Sequence, residues 1–195
     1  MIMRKLIMKM SVSIDGFVAG PNGEKDWAFK YITPDSKSWT VAHTSEAGMV
    51  IMGRKTFEVI SSYWPTSTDA FAPLMNEIPK ALFTQKGYKG LSVGNNPTPA
   101  ETSWANTQIL DGDLADEVKK LKSGNGKPIL AIGGAGFMRN LIATGLVDEY
   151  YLVTHPVVLG AGLPIFDGLA KPVDLKLEDV KTFSGGIMVR IYSNR

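Results

Sequence analysis

The segment best equipped for chemistry is Ile129-Leu130-Ala131-Ile132-Gly133-Gly134-Ala135-Gly136-Phe137. A short apolar run leads straight into a turn rich in glycine, and a helical pattern follows. A backbone without side chains admits close approach of a ligand, and a helix start offers free N–H groups and the positive end of its dipole. Such a turn suits a pyrophosphate; it also serves as a tight strand-to-helix connection with no ligand. The Rossmann fingerprint is absent, because Arg139 stands where the third glycine belongs. A second turn of this kind is Gly53-Arg54-Lys55-Thr56-Phe57-Glu58, after the apolar run Met49 to Met52. Two cations and a hydroxyl at a helix start again suit phosphate, although a solvated helix start has the same composition. Gly48 to Thr56 approaches a Walker A loop but carries one insertion, and its intervening residues are apolar and belong in a strand, so ATP and GTP hydrolysis are rejected. A third turn, Ser13-Ile14-Asp15-Gly16-Phe17-Val18-Ala19-Gly20, leaves the first apolar segment and is followed by Asp26-Trp27. Trp27 suits either a lid over a flat ring or a loop anchor.

Other chemistries lack their residues. The chain has no cysteine, which removes disulfides, thiolate-ligated zinc, iron–sulfur clusters and a thiol nucleophile. His43 and His155 are far apart in the chain with no metal-ligand spacing, and no metal is expected; His43 reads as a surface or packing residue. No G-x-S-x-G elbow occurs. With 21 basic and 19 acidic residues, the charge is too balanced for a nucleic-acid binder. Arg4, Lys5 and Lys9 interrupt the apolar N-terminus, so it reads as a strand rather than a signal peptide. No run approaches the length of a membrane span, and a cytoplasmic location is expected.

These turns require an alternation of strands and helices. Strands are expected over 2–14, 49–52, 80–84, 108–110, 128–132 and 149–154. Helices are expected over 35–47, 55–62, 114–122 and 137–144, and a terminal hairpin pairs 175–182 with 187–192 across Ser184-Gly185-Gly186. Residues 16–34, 62–79, 85–107 and 156–164 read as loops. The pattern predicts an α/β fold in one domain, 1–195, with a mostly parallel central sheet, an antiparallel C-terminal hairpin and helices on both faces.

The ordered set S-I-D-G-F-V-A-G, D-W, G-R-K-T-F-E, P-K-A-L-F-T, I-G-G-A-G-F and G-L-V-D-E-Y-Y-L-V-T-H-P-V-V-L-G-A-G-L-P-I-F resembles the dihydrofolate reductase superfamily. Within it the chain is most similar to the C-terminal reductase domain of the riboflavin protein RibD, from about Arg4 to Tyr192. The resemblance implies a dihydrofolate-reductase-like fold and an NADPH-dependent reductase of a pyrimidine- or pteridine-like small molecule. The nearest reaction is that of 5-amino-6-(5-phosphoribosylamino)uracil reductase. Dihydrofolate reduction and a non-catalytic nucleotide-binding module are the alternatives.

By the same resemblance, Gly53, Arg54, Lys55 and Thr56 hold cofactor phosphates, with Arg54 favouring the 2′-phosphate. Thr84 lies near the adenosine, and Gly133, Gly134, Ala135, Gly136 and Phe137 contact the pyrophosphate across a cis Gly133–Gly134 peptide. Asp15, Gly16 and Ala19 cover the nicotinamide, Trp27 faces the substrate, and a homodimer is implied. Dihydrofolate reductases carry an acid on the helix after the Trp-containing loop, and the matching stretch falls near Lys37 and Ser38. Asp35 is the candidate catalytic acid, its competing role being a helix cap.

Overall fold

The computed structural model describes residues 3–195. In chain order the elements are β1 (Leu6–Val12), β2 (Phe17–Ala19), α1 (Asp26–Phe29), α2 (Pro34–Ser45), β3 (Met49–Gly53), α3 (Arg54–Tyr63), α4 (Ala72–Glu77), β4 (Lys80–Phe83), α5 (Pro99–Ala105), β5 (Gln108–Leu110), α6 (Leu114–Ser123), β6 (Ile129–Ile132), α7 (Ala135–Ala143), β7 (Glu149–Thr154), β8 (Leu163–Pro164), β9 (Leu175–Thr182) and β10 (Met188–Asn194). Eight strands form one sheet in the order β5-β4-β3-β6-β1-β7-β10-β9, and β2 pairs with β8 in a small second sheet. Pairings from β5 through β7 are parallel, whereas β10 runs antiparallel to both β7 and β9. The expected α/β sheet with a terminal hairpin is the one observed.

The central strands read as short apolar runs because both of their faces are covered. Val50, Ile51 and Met52 of β3 are fully buried. Helices α2 and α3 carry the chain toward the β5 edge, and α6 and α7 bring it back. Right-handed crossovers then place the two pairs on opposite faces. Phe57 of α3 packs with Val50, Met52, Leu82 and Leu130. Val118 of α6 and Met138, Leu141 and Ile142 of α7 pack with Leu6, Met8, Met10 and Val12 of β1.

Several expected boundaries differ. The first strand spans Leu6–Val12, and Ile2, where it was expected to begin, lies outside the described residues. The expected loop 16–34 contains β2 and α1, and the expected loop 156–164 contains β8. Segments 62–79 and 85–107 contain α4 and α5. Pro99 occupies the first turn of α5, and Thr98 and Glu101 close a reciprocal capping box. Helix α7 starts at Ala135, ahead of the expected Phe137, because Gly134 serves as its N-cap.

Candidate active site

The strand order reverses direction between β3 and β6, which lie side by side. Helix α3 leaves β3 toward one edge and α7 leaves β6 toward the other, so their N-termini flank a crevice at the carboxyl ends of both strands. Open α/β sheets bind ligands at this switch point. The packing around it is close. A Cβ at Gly53 would lie 2.8 Å from Phe137 Cβ, and one at Gly133 would lie 2.6 Å from Thr56 Cγ2. Gly133 and Gly134 have φ of +61° and +77°, which favours glycine. Two successive positive-φ residues turn β6 into α7 with every described peptide trans, so the cis Gly133–Gly134 bond implied by the resemblance is corrected.

Gly133→Ala is therefore expected to destabilise the protein by about 1–3 kcal/mol, read as a lower urea midpoint. Gly136→Ala is the control. Position 136 is helical and has open space beside it, so its stability should hold or rise slightly.

The start of α3 carries Arg54 and Lys55 and no acidic residue in its first turn. Cations there oppose the helix dipole, an arrangement that costs helix stability and favours a bound anion. Arg54 Nη1 is 3.6 Å from Glu58 Oε1, a loose pair in the less favourable basic-then-acidic order. Thr84 follows β4, the next strand along the sheet; it is buried and donates its hydroxyl to Gly87 O at 3.3 Å. The structure thus brings together Gly53, Arg54, Lys55, Thr56, Gly133, Gly134, Ala135, Gly136 and Phe137, with Thr84 on the adjoining strand.

A second group lies at the carboxyl end of β1. Asp15, Gly16 and Ala19 form its turn and β2, beside the loop that follows β7. Trp27 is buried edge-on against His155, 5.4 Å between centroids, and its Nε1 donates to Glu24 O. Asp35 accepts from Thr33 Oγ1, Ser36 N, Ser184 N and Ser184 Oγ. These bonds, the Thr33 hydroxyl foremost, hold its carboxyl far below the usual carboxylate range. Asp35 is thus an ionised clamp between the start of α2 and the turn between β9 and β10. This is the geometry of the cap, and it offers no proton at neutral pH.

Two residues overlooked in the sequence stand out. Strand β1 buries Leu6, Met8, Met10 and Val12 completely on its α7 face, while Ile7, Lys9 and Ser11 on the other face are half-buried. Helix α2 covers this second face of β1 less tightly and leaves a narrow groove between them. Lys9 is in it, its Nζ 5.5 Å from the Trp39 ring centre. Burial pulls its pKa down to about 8. Trp39 Nε1 is buried and has no partner among the described residues. A cavity of about 10 Å³, room for one water, continues the groove past Ile7, Lys9, His43, Glu46 and Tyr151. His43 is the packing residue expected, stacked on Trp39 at 4.0 Å. The second overlooked residue is His155, 2% exposed, with neither ring nitrogen partnered among the described residues. Lys9 could have been found from its place in the alternation of β1; nothing in the sequence distinguished His155.

Residues 4–189 match the RibD C-terminal domain. The chain belongs to that family. The uncharacterized protein YyaP of Bacillus subtilis is 33% identical over 97% of this chain and 94% of its own length. A Shewanella sp. PV-4 protein named for riboflavin biosynthesis shares the fold at a TM-score of 0.74 and 20% identity, with 98% and 99% of the two chains covered. The Thermotoga maritima diaminohydroxyphosphoribosylaminopyrimidine deaminase/5-amino-6-(5-phosphoribosylamino)uracil reductase matches at a TM-score of 0.70 and 15% identity, over 99% of this chain and 57% of its own. The sheet of this RibD C-terminal domain member is dihydrofolate-reductase-like, as the resemblance implied. No described helix is long and apolar enough to cross a membrane.

Proposed function

We propose that this protein is an NADPH-dependent reductase of a pyrimidine- or pteridine-like small molecule, related in chemistry to the uracil reductase reaction named for the Thermotoga relative. The observation that carries this reading is the convergence of the α3 and α7 N-termini, through Gly53, Gly133 and Gly134, at the switch point of the sheet. Arg54 and Lys55 hold the 2′-phosphate, and the first turn of α7 with Gly133 and Gly134 faces the pyrophosphate. Thr84 borders the adenosine, and the Asp15–Ala19 segment covers the nicotinamide. When bound, NADPH supplies a hydride to an electrophilic ring or imine carbon. The groove between β1 and α2, beside Trp27, takes the planar substrate. The Lys9 ammonium donates the matching proton to the adjoining nitrogen and regains it from water.

Titration calorimetry tests the cofactor assignment. NADPH should bind far more tightly than NADH, and Arg54→Ala should weaken NADPH at least about tenfold, or about 1.4 kcal/mol, with NADH unchanged. A wild-type protein that binds neither dinucleotide overturns the reading.

A further inference from the structure

We infer that Asp15 is a positioning residue, a carboxylate latch that fastens the turn after β1 to the loop after β7, so that the two segments form one wall over the hydride-transfer end of the site. The inference rests on the NADPH reading for its functional consequence, but not for the latch itself. Asp15 Oδ2 accepts from Gly160 N at 2.7 Å, and both carboxylate oxygens are 3.2 Å from Leu159 N. Ser13 Oγ donates to Oδ1 at 2.6 Å while accepting from Phe17 N at 3.0 Å, and Ser13 is 1% exposed. The same two segments also meet through their backbones, Ile14 N to Val157 O at 2.9 Å and Ile165 N to Gly16 O at 3.2 Å, and through the β2–β8 pairing.

The carboxylate is what makes this junction more than a turn. No other acceptor among the described residues serves Leu159 N or Gly160 N. Its charge is balanced by N–H and O–H donors, and the Ser13 hydroxyl leads the effects that lower its pKa. Ser13 Oγ and Leu159 N on Oδ1, with Leu159 N and Gly160 N on Oδ2, occupy the acceptor directions of the carboxylate. Asp15 therefore acts through Leu159 and Gly160, not by touching the ligand. Asparagine fits the same space but leaves one neutral carbonyl oxygen to serve both backbone donors and removes the charge that strengthens these bonds, so it loosens the latch.

The test compares wild type with Asp15→Asn and with Ser13→Ala, which removes a supporting donor. Hydrogen–deuterium exchange of peptides covering residues 155–166 should speed up in Asp15→Asn and to a lesser degree in Ser13→Ala. Calorimetry with 2′,5′-ADP, which reaches only the α3 end, should change less than about twofold, while NADPH weakens about tenfold. Unchanged exchange overturns the latch. Equal losses for 2′,5′-ADP and NADPH overturn its local role. If wild type binds neither ligand, the NADPH reading fails, and the exchange result alone decides whether the latch stands.

Discussion

Lys9→Met is expected to lower turnover of any pyrimidine or pterin that the wild-type enzyme reduces by roughly 10²–10³-fold, with NADPH affinity within about twofold. The split follows from position. Lys9 is in the groove between β1 and α2, whereas the residues assigned to the cofactor phosphates are at the starts of α3 and α7. Methionine keeps the length of the side chain and removes the proton. The pH profile gives a second readout. The pKa of Lys9 is lowered to about 8 by burial, so the protonated donor is present at neutral pH and is lost as pH rises through that value. Wild-type activity should therefore fall on the basic side near pH 8. Lys9→Arg should move that fall beyond the measurable range, because guanidinium keeps its proton. A Lys9→Met enzyme running at half the wild-type rate or better sinks the assignment, as does a basic fall that persists in Lys9→Arg.

The second large effect concerns stability in acid. Burial pushes His155 down to about 4 from an ordinary value of 6.5. The unfolded chain therefore takes up a proton near pH 6.5, while the folded chain resists until about pH 4. Between those limits the unfolded state binds more protons, so stability declines as pH falls. The contribution is complete above 6.5, and the loss reaches about 3 kcal/mol by pH 4. His155→Phe retains a ring against Trp27 and removes two buried nitrogens that have no partners among the described residues. Its stability at pH 7 should match or exceed that of wild type, because an unpaired buried polar group costs about 1–3 kcal/mol. Urea unfolding at pH 7 and pH 4.5 checks both statements. The wild type should lose roughly 2–3 kcal/mol between the two pH values beyond what the variant loses. Equal losses would place the acid sensitivity elsewhere, the bonded carboxylates Asp15 and Asp35 being the first alternatives.

Much of the fold was legible because the parallel strands are buried on both faces and read as compact apolar runs. Met49 to Met52 and Ile129 to Ile132 are short, uninterrupted and followed by glycine, and the expected strand 149–154 matches β7. Helix α5 was legible in principle, since Thr98-Pro99 with Glu101 writes a capping box and a first-turn proline. The polar, glycine- and asparagine-rich residues before it outweighed that signal. The order of strands is a different matter. It depends on which runs meet across the chain, and no local pattern states that β6 lies between β3 and β1.

The candidate site divides along the same line. The glycine turns announce themselves, because only glycine tolerates their conformation and close contacts. Lys9 instead looked like a flaw in an apolar run, since its neighbours Met8 and Met10 face the opposite side of the sheet. Asp15 looked like a turn residue until Leu159 and Gly160, distant in sequence, arrived at its carboxylate.

The sheet order also bears on how the protein is made. Strand β1 leaves the ribosome before the other described strands, yet its partners in the sheet are β6 and β7, with Leu6 beside Ile129 and Ile7 beside Glu149. At ordinary rates of synthesis that is roughly 6–25 s of waiting with a methionine-rich strand unpaired. Sheet closure must come late, after most of the chain exists, and loop-closure entropy makes such non-local pairing slow. The newborn domain is thus at its most vulnerable to aggregation at β1, the strand that carries Lys9 and leads into Asp15.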